Sequence, residues 1–161
     1  GITGREGSNT YPIGGLLNRL LIEQNIVENI NTGIYTGDAR LISIMQNAQN
    51  VTIRSNTMTA PGALNQFVNV ASVPAATNFA YENNLVSYGQ YGFFSSWYGI
   101  GESSLKAFSG TVVWKNVVMI GAFQSGYPNG TFVSSLSAGQ STGKGANTAG
   151  VLAATQGIII P

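Results

Sequence analysis

Four short segments of this chain repeat one pattern of apolar, charged and asparagine residues at nearly constant spacing. Aligned on Asn25, Asn56, Asn84 and Asn116, they recur at intervals of 31, 28 and 32 residues, and the fourth copy is one residue shorter before its Asn. The pattern is apolar, any, apolar, charged, any, Asn, any, apolar. Its first five residues alternate with the period of a β-strand, and the Asn marks a bend. A period of about 30 residues is typical of chains that stack one coil on the next. The segments are Leu20–Val27, Val51–Met58, Phe79–Val86 and Val112–Val118.

Stacked in register as rungs of parallel sheets, the four copies place their apolar residues in three inward columns. An Asn at a bend tolerates the left-handed conformation and can bridge neighbouring backbone groups through its amide. Asn25, Asn56, Asn84 and Asn116 are therefore predicted to form a ladder. The apolar columns are Leu20, Val51, Phe79 and Val112; Ile22, Ile53, Tyr81 and Trp114; and Val27, Met58, Val86 and Val118.

A column of charged residues runs beside the apolar ones, and the sign of its charge alternates. It consists of Glu23, Arg54, Glu82 and Lys115, in a chain with only seven Lys plus Arg and six Asp plus Glu. Neighbouring rungs lie about 4.8 Å apart, so each carboxylate is expected beside a cation. We expect this column to specify the register, because a slip by one rung would set like charges together.

Further strands are predicted between these segments, for a total of about three short strands per coil. A helix is arguable only over Ile13–Asn31, where the pair Gly14 and Gly15 and the repeat itself both count against it. The additional strand candidates are Gly33–Tyr35, Leu41–Ile44, Phe67–Val70 and Gly92–Phe94.

The segments NVTIRSN, NFAYENN and VVWKNVV resemble the repeat of right-handed parallel β-helix proteins, the pectin-lyase-like superfold. The resemblance covers Leu20 to Gly121 and implies an all-β fold, a right-handed parallel β-helix (solenoid) of about four coils of 28–32 residues. A β-sandwich or jelly roll is the alternative, and it would not explain the period. The superfold hosts lyases, hydrolases, phage tailspikes and surface proteins, so the resemblance indicates an architecture rather than an activity.

Charge and composition exclude several classes of function. Charged residues make up 8% of the chain and its net charge is +1, which provides no field to attract nucleic acid. The chain contains no Cys and no His, so thiolate chemistry and the commonest metal ligands are excluded, and no cofactor or metal is expected. No apolar run reaches the roughly 18 residues that span a bilayer, so no membrane insertion is expected.

The chain is predicted to be a single β-solenoid domain in three parts. A Gly-rich segment occupies residues 1–19, the repeat coils occupy 20–120, and a tail rich in Gly, Ser, Thr and Ala occupies 121–161. The tail is expected to pack on the solenoid or on a neighbouring chain. Solenoids need caps, and no capping helix is predicted at either end. The ends are therefore expected to continue in a longer parent chain or to meet other copies in a homo-oligomer, end to end.

Tyr88–Tyr98 has six aromatics in eleven residues, interleaved with Gly and Ser. Tyr88, Tyr91, Trp97 and Tyr98 are candidates for a platform on which the sugar rings of a polysaccharide stack. The alternative is that about half of these rings, Phe93 among them, fill the core.

The acidic residues are scattered, which disfavours catalysis. The resemblance implies that a lyase would need an Arg or Lys base beside calcium-binding acids and that a hydrolase would need clustered Asp, and the chain has one Asp. Glu23 and Glu82 are expected about 9.6 Å apart, near the spacing of inverting glycosidases, but Arg54 between them would hold both ionised. Asp38 and Arg40 are the remaining catalytic candidates, and they also read as a local salt bridge on a turn.

These observations favour a non-catalytic β-solenoid, extracellular or at the cell surface, that acts as a structural or surface-binding element. Either self-assembly end to end into filaments or continuation in a longer parent chain is expected to accompany this function. Two alternatives stay open: the C-terminal part of a polysaccharide lyase or glycoside hydrolase of the same superfold, and a glycan-binding module.

Overall fold

A computed structural model describes residues 2–3, 17–28, 30, 38–60, 63–71, 73–127 and 130–147 of the chain. Over these residues the protein is mostly β-strand, in three sheets whose strands pair in parallel with one exception. The predicted all-β class is confirmed. The predicted strand Gly33–Tyr35 lies outside the described residues, and β-strands occupy the described part of Ile13–Asn31, the one arguable helix.

Each sheet collects strands from successive parts of the chain. Sheet A has the order β1 (Ile2–Thr3), β4 (Arg40–Met45), β7 (Gln66–Val70), β10 (Gly92–Ser95) and β11 (Gly99–Ile100). Sheet B has the order β2 (Asn18–Glu23), β5 (Ala48–Arg54), β8 (Ala76–Glu82) and β12 (Ser109–Lys115). Sheet C has the order β3 (Ile26–Val27), β6 (Thr57–Met58), β9 (Leu85–Ser87), β13 (Val117–Ile120) and β14 (Gly130–Val133).

The chain visits sheets A, B and C in the same rotation each time. β1, β2 and β3 form the first circuit, β4 to β6 the second and β7 to β9 the third; β10, β12 and β13 belong to the fourth. Every strand pairs in parallel with its counterpart in the next circuit, and β11 alone pairs antiparallel, in a hairpin with β10.

Two of the three predicted apolar columns have the predicted register. Leu20 pairs with Val51, which pairs with Phe79, and Val112 completes the column; Ile22, Ile53, Tyr81 and Trp114 align in the same way. Their middle members are almost fully buried, and Phe67 and Phe93 from sheet A pack against them. The core therefore lies between the sheets and is richest in aromatic rings at its centre.

The third predicted column is wrong at its last member. Val27 pairs with Met58 and Met58 with Val86, but the residue beside Val86 is Met119, while Val118 pairs with Leu85. The reason is that Lys115 pairs with Glu82 and Val118 with Leu85, so both chains advance by the same number of residues through the bend and the fourth segment has lost none.

Beyond the fourth circuit, the three sheets differ in whether a further described strand follows. Sheet A has β11 as its fifth strand and sheet C has β14, whereas sheet B ends at β12 among the described strands. A 3-10 helix, Gly101–Ala107, connects β11 to β12. Its Ser104 is fully buried and donates a hydrogen bond to the Phe93 carbonyl at 3.3 Å, which anchors the helix to the β10–β11 hairpin.

The described part of the tail packs on the strands. After β14 comes a short helix, α1 (Leu136–Gln140), whose N-cap Ser135 accepts a hydrogen bond from the Ala138 backbone. The chain then runs back across three circuits. The backbone N–H groups of residues 145, 146 and 147 donate to Asn83 O at 2.8 Å, Thr57 Oγ1 at 3.0 Å and Gln24 Oε1 at 2.7 Å.

Candidate functional site

The bends between sheets B and C contain a ladder of asparagines, Asn25, Asn56 and Asn84, which we call the buried Asn ladder. Asn25 Nδ2 donates to Asn56 Oδ1 at 3.0 Å, and Asn56 Nδ2 donates to Asn84 Oδ1 at 3.0 Å. The backbone N–H groups of Asn25 and Asn56 donate to the same two oxygens, also at 3.0 Å. The side-chain oxygens of Asn56 and Asn84 thus each accept hydrogen bonds from the Asn one circuit earlier, as the repeat predicts.

The ladder also holds the ends of the sheet B strands. Asn56 Nδ2 reaches Ile22 O at 3.0 Å, and Asn84 Nδ2 reaches Ile53 O at 2.9 Å, in each case one circuit back. Asn56 and Asn84 have no exposed surface. A buried amide costs free energy unless its donors and acceptors are paired, and here they are.

Asn116 does not join this ladder, contrary to the prediction. Lys115 pairs with Glu82, so Asn116 stands beside Asn83 and Val117 takes the ladder position. Asn116 Nδ2 donates to Asn83 Oδ1 at 3.0 Å. Both residues have left-handed backbones, with φ of 52° and 53°, as do Gln24 and Ser55 in the same column. Asn adopts this conformation more readily than most residues, which explains its presence at a second column of the bend.

The charged column has the predicted register throughout. Glu23 pairs with Arg54, Arg54 with Glu82, and Glu82 with Lys115. Arg54 Nε lies 2.6 Å from Glu23 Oε2, and this is the one ion pair within the column over the described residues. Both side chains are partly exposed, so the pair contributes little to stability and acts mainly on the choice of register.

A second ladder on the outside of sheet B was missed by the sequence analysis. Asn50 Nδ2 donates to Asn18 Oδ1 and Asn78 Nδ2 donates to Asn50 Oδ1, both at 2.8 Å, and Thr111 N donates to Asn78 Oδ1 at 3.0 Å. We call Asn18, Asn50 and Asn78 the exposed Asn ladder. Its sequence signal is the Asn before the apolar residue in NVTI and NFAY.

Of the four predicted ligand-binding aromatics, Tyr88 is not available at the surface. It is 8% exposed and packs edge-on against Tyr127, with ring centroids 5.7 Å apart, and against Phe132. Burial and then a hydrogen bond with Tyr88 raise the pKa of Tyr127, so that hydroxyl stays neutral. The Tyr127 hydroxyl oxygen accepts a hydrogen bond from the Phe93 backbone at 3.1 Å. Tyr88 thus fills the side of the core that faces sheet C.

The other three aromatics are exposed in and around the β10–β11 hairpin. Trp97 is 57% exposed, Tyr98 is 39% exposed and Tyr91 is 37% exposed. Trp97 and Tyr98 occupy the turn between the two strands, and Tyr91 precedes β10 and packs against Phe94. The predicted core residue Phe93 has no exposed surface. The hairpin therefore presents rings to solvent while its strand contributes to the core.

Asp38 and Arg40 form a local ion pair at the start of β4, and both are exposed. Arg40 Nε also donates to Gln66 Oε1 at 3.2 Å, in the neighbouring strand. The guanidinium of Arg40 thus binds both Asp38 and Gln66. Such pairing favours a role in aligning neighbouring strands over a role as a catalytic base. Over the described residues no group of three or more His, Cys, Asp or Glu side chains is placed to hold a metal ion.

Comparison of the chain with protein-family models, with curated proteins and with solved structures finds no match. Within the described part of the chain, neither helix is long and apolar enough to cross a bilayer.

Proposed function

We propose that this chain is a right-handed parallel β-helix that serves as a non-catalytic structural or surface-binding element, outside the cell or at its surface. The constant rotation through sheets A, B and C supports the architecture. Two Asn ladders and a charged column that run along the stack of circuits support it further, because such ladders align equivalent residues of successive coils.

One observation carries the non-catalytic part of the proposal: the polar side chains that the repeat concentrates bind one another. In both Asn ladders the side-chain amides of neighbouring circuits are hydrogen-bonded to each other. Arg54 forms an ion pair with Glu23, and Arg40 forms one with Asp38. Catalytic groups need a site where a substrate can reach them and where their pKa values are tuned. Polar side chains that bind one another along the stack hold successive circuits together instead.

The proposal does not include the end-to-end stacking expected from the sequence. In sheet A, the column of Ile2 continues through Ile44, Val70 and Ser95 to Gly99 in β11. A second copy stacked in continuous register would place its β1 where β11 already lies. Sheet C presents the same conflict between the β3 of a second copy and β14. We therefore expect a monomer of about 16.9 kDa in light scattering. Long unbranched particles in electron microscopy of the same sample would contradict this.

The experiment that tests the function is a panel of polysaccharides incubated with the intact chain. New reducing ends and unsaturated sugar products are measured beside retention of the protein on insoluble polymer. We expect no cleavage of any polymer. Cleavage that Asp38→Asn abolishes would overturn the proposal in favour of a lyase or hydrolase.

Glycan binding is the second candidate function, and the exposure of Trp97 and Tyr98 in one tight turn favours it. Exposed aromatic rings in a short turn offer flat apolar faces on which sugar rings can stack. If the turn binds glycan, Trp97→Ala with Tyr98→Ala abolishes retention on the polymer. Phe123→Ala is the matched control, because Phe123 is 76% exposed but lies after β13. Equal losses in both variants would indicate nonspecific adsorption.

A further inference from the structure

Among the described residues, β12 is the edge strand of sheet B at the end of the molecule beyond the fourth circuit. In the fifth level of strands, β11 covers β10 in sheet A and β14 covers β13 in sheet C, whereas no described strand covers β12. β12 is seven residues long, and its outer edge presents the backbone N–H and C=O groups that a further parallel strand would pair with.

An open cleft of about 440 Å³ lies beside this edge. It is lined by Val112 and Trp114, the last members of the two apolar columns, and by Glu102, Leu105 and Lys106 of the 3-10 helix. Val112 is half-buried, so part of its side chain faces the cleft. The last members of the two inner columns therefore both line this cleft, Val112 half-buried and Trp114 buried.

The columns of sheet B specify what kind of strand would fit there. The next residue over Val112 and the next over Trp114 would have to be apolar, because every other member of those columns is apolar. Lys115 ends the alternating charged column and has one charged neighbour, Glu82. The next residue in that column would be acidic, so that Lys115 lies between two carboxylates as Arg54 does.

We propose that the outer edge of β12 binds an extended segment of a partner protein as a parallel strand with the pattern apolar, any, apolar, acidic. The occupant is a single segment rather than a folded second copy, because β11 and β14 obstruct whole circuits, whereas no described strand lies on the outer edge of β12. Main-chain hydrogen bonds supply affinity, and the apolar and acidic positions supply specificity. This inference does not depend on the proposed function.

A peptide copy of β2 is the probe, since residues 20–23, Leu-Leu-Ile-Glu, have the required pattern. Blocked at both ends, the peptide of residues 18–24 is titrated against the full chain by fluorescence anisotropy. We expect saturable binding. We expect none for the same peptide with N-methylated amides on its pairing edge, because N-methylation removes the donors without changing the side chains. Equal binding of both peptides, or binding of neither, overturns the proposal.

A charge exchange locates the site on β12. Replacing the peptide Glu by Lys is expected to weaken binding about three- to tenfold, and Lys115→Glu in the chain is expected to restore it. Lys115→Glu sets a like charge beside Glu82, but Lys115 is exposed and such exposed pairs contribute little to stability, so we expect the variant to fold. Its circular dichroism and melting temperature provide the check. Absence of the restoration overturns the assignment to β12. Displacement of the peptide by unlabelled chain would identify a second copy as the occupant and overturn the proposed partner.

Discussion

The two Asn ladders use the same residue and the same amide–amide hydrogen bond, yet they lie in opposite environments. In the buried Asn ladder the amide distances are 3.0 Å, and Asn56 and Asn84 have no exposed surface. In the exposed Asn ladder the distances are 2.8 Å, and Asn50 and Asn78 face solvent. Water can replace a lost partner in the second ladder but not at Asn56 or Asn84 of the first, where only the end member Asn25 is exposed. The comparison teaches that hydrogen-bond geometry alone does not indicate how much a ladder stabilises the fold.

The largest effect is expected from Asn56→Ala. The substitution removes the centre of the buried Asn ladder. It leaves the fully buried Asn84 oxygen and the partly buried Ile22 carbonyl short of a donor, whereas the exposed Asn25 amide can turn to water. We expect the free energy of unfolding to fall by about 2–4 kcal/mol, measured by urea denaturation. A loss below about 1 kcal/mol would show that water reaches the ladder and that the two ladders are equivalent.

A pair of substitutions in the fourth circuit sharpens the comparison. Val117 takes the ladder position beside Asn84, so Val117→Asn places an amide where Asn84 N and Tyr81 O are suitable partners. Val118, next in sequence and equally buried, is outside the ladder. We expect Val118→Asn to cost about 2–3 kcal/mol and Val117→Asn less than about 1 kcal/mol in the same urea experiment. Equal costs would contradict the alignment of Val117 with Asn84.

Tyr81→Phe tests a buried polar group without a partner. The Tyr81 hydroxyl is buried and makes no hydrogen bond with the described residues, and burial raises its pKa, so it remains neutral. We expect a gain of up to about 1 kcal/mol in thermal or urea unfolding. Tyr127→Phe is the control, since it loses the bond from Phe93 and is expected to destabilise by about 1 kcal/mol. A clear loss in Tyr81→Phe would reveal a buried water as its partner.

The smallest effect is expected from Asn78→Gly in the exposed Asn ladder. The amide bonds are lost to water, and Gly accepts the φ of 59° at this position, so we expect a change within about 0.5 kcal/mol. Asn78→Ala, which loses the same amide but disfavours that φ, is expected to cost about 1 kcal/mol more. If Asn78→Gly matches Asn56→Ala, the environment does not govern the value of a ladder.

The pattern of the sequence was sufficient for sheet B and insufficient at its ends. Alternation and charge aligned Leu20 with Val112 and Glu23 with Lys115 correctly, because these features repeat in every circuit. Matching Asn116 to Asn84 by identity was wrong by one residue, since two adjacent columns of the bend both accept Asn. The same one-residue error placed Val118 beside Val86, a position that Met119 occupies.

The aromatic candidates show a different limit. Trp97 and Tyr98 lie in a turn, where the Gly- and Ser-rich sequence indicated exposed rings. Tyr88 has the same composition around it, yet it is buried against Tyr127 and Phe132, which lie far along the chain. No local pattern distinguishes the two cases, because the residues that cover Tyr88 belong to the tail.

The sequence by itself determined which residues of successive circuits share a column, because a repeated pattern in parallel strands has one register that keeps apolar residues inside and opposite charges adjacent. Only the tertiary structure decided which end of which sheet is covered. The hairpin places β11 on sheet A and the tail adds β14 to sheet C, while no described strand covers β12 in sheet B. These differences depend on contacts between distant segments. Local alternation specifies the face of each strand, whereas coverage of an edge depends on where the rest of the chain packs.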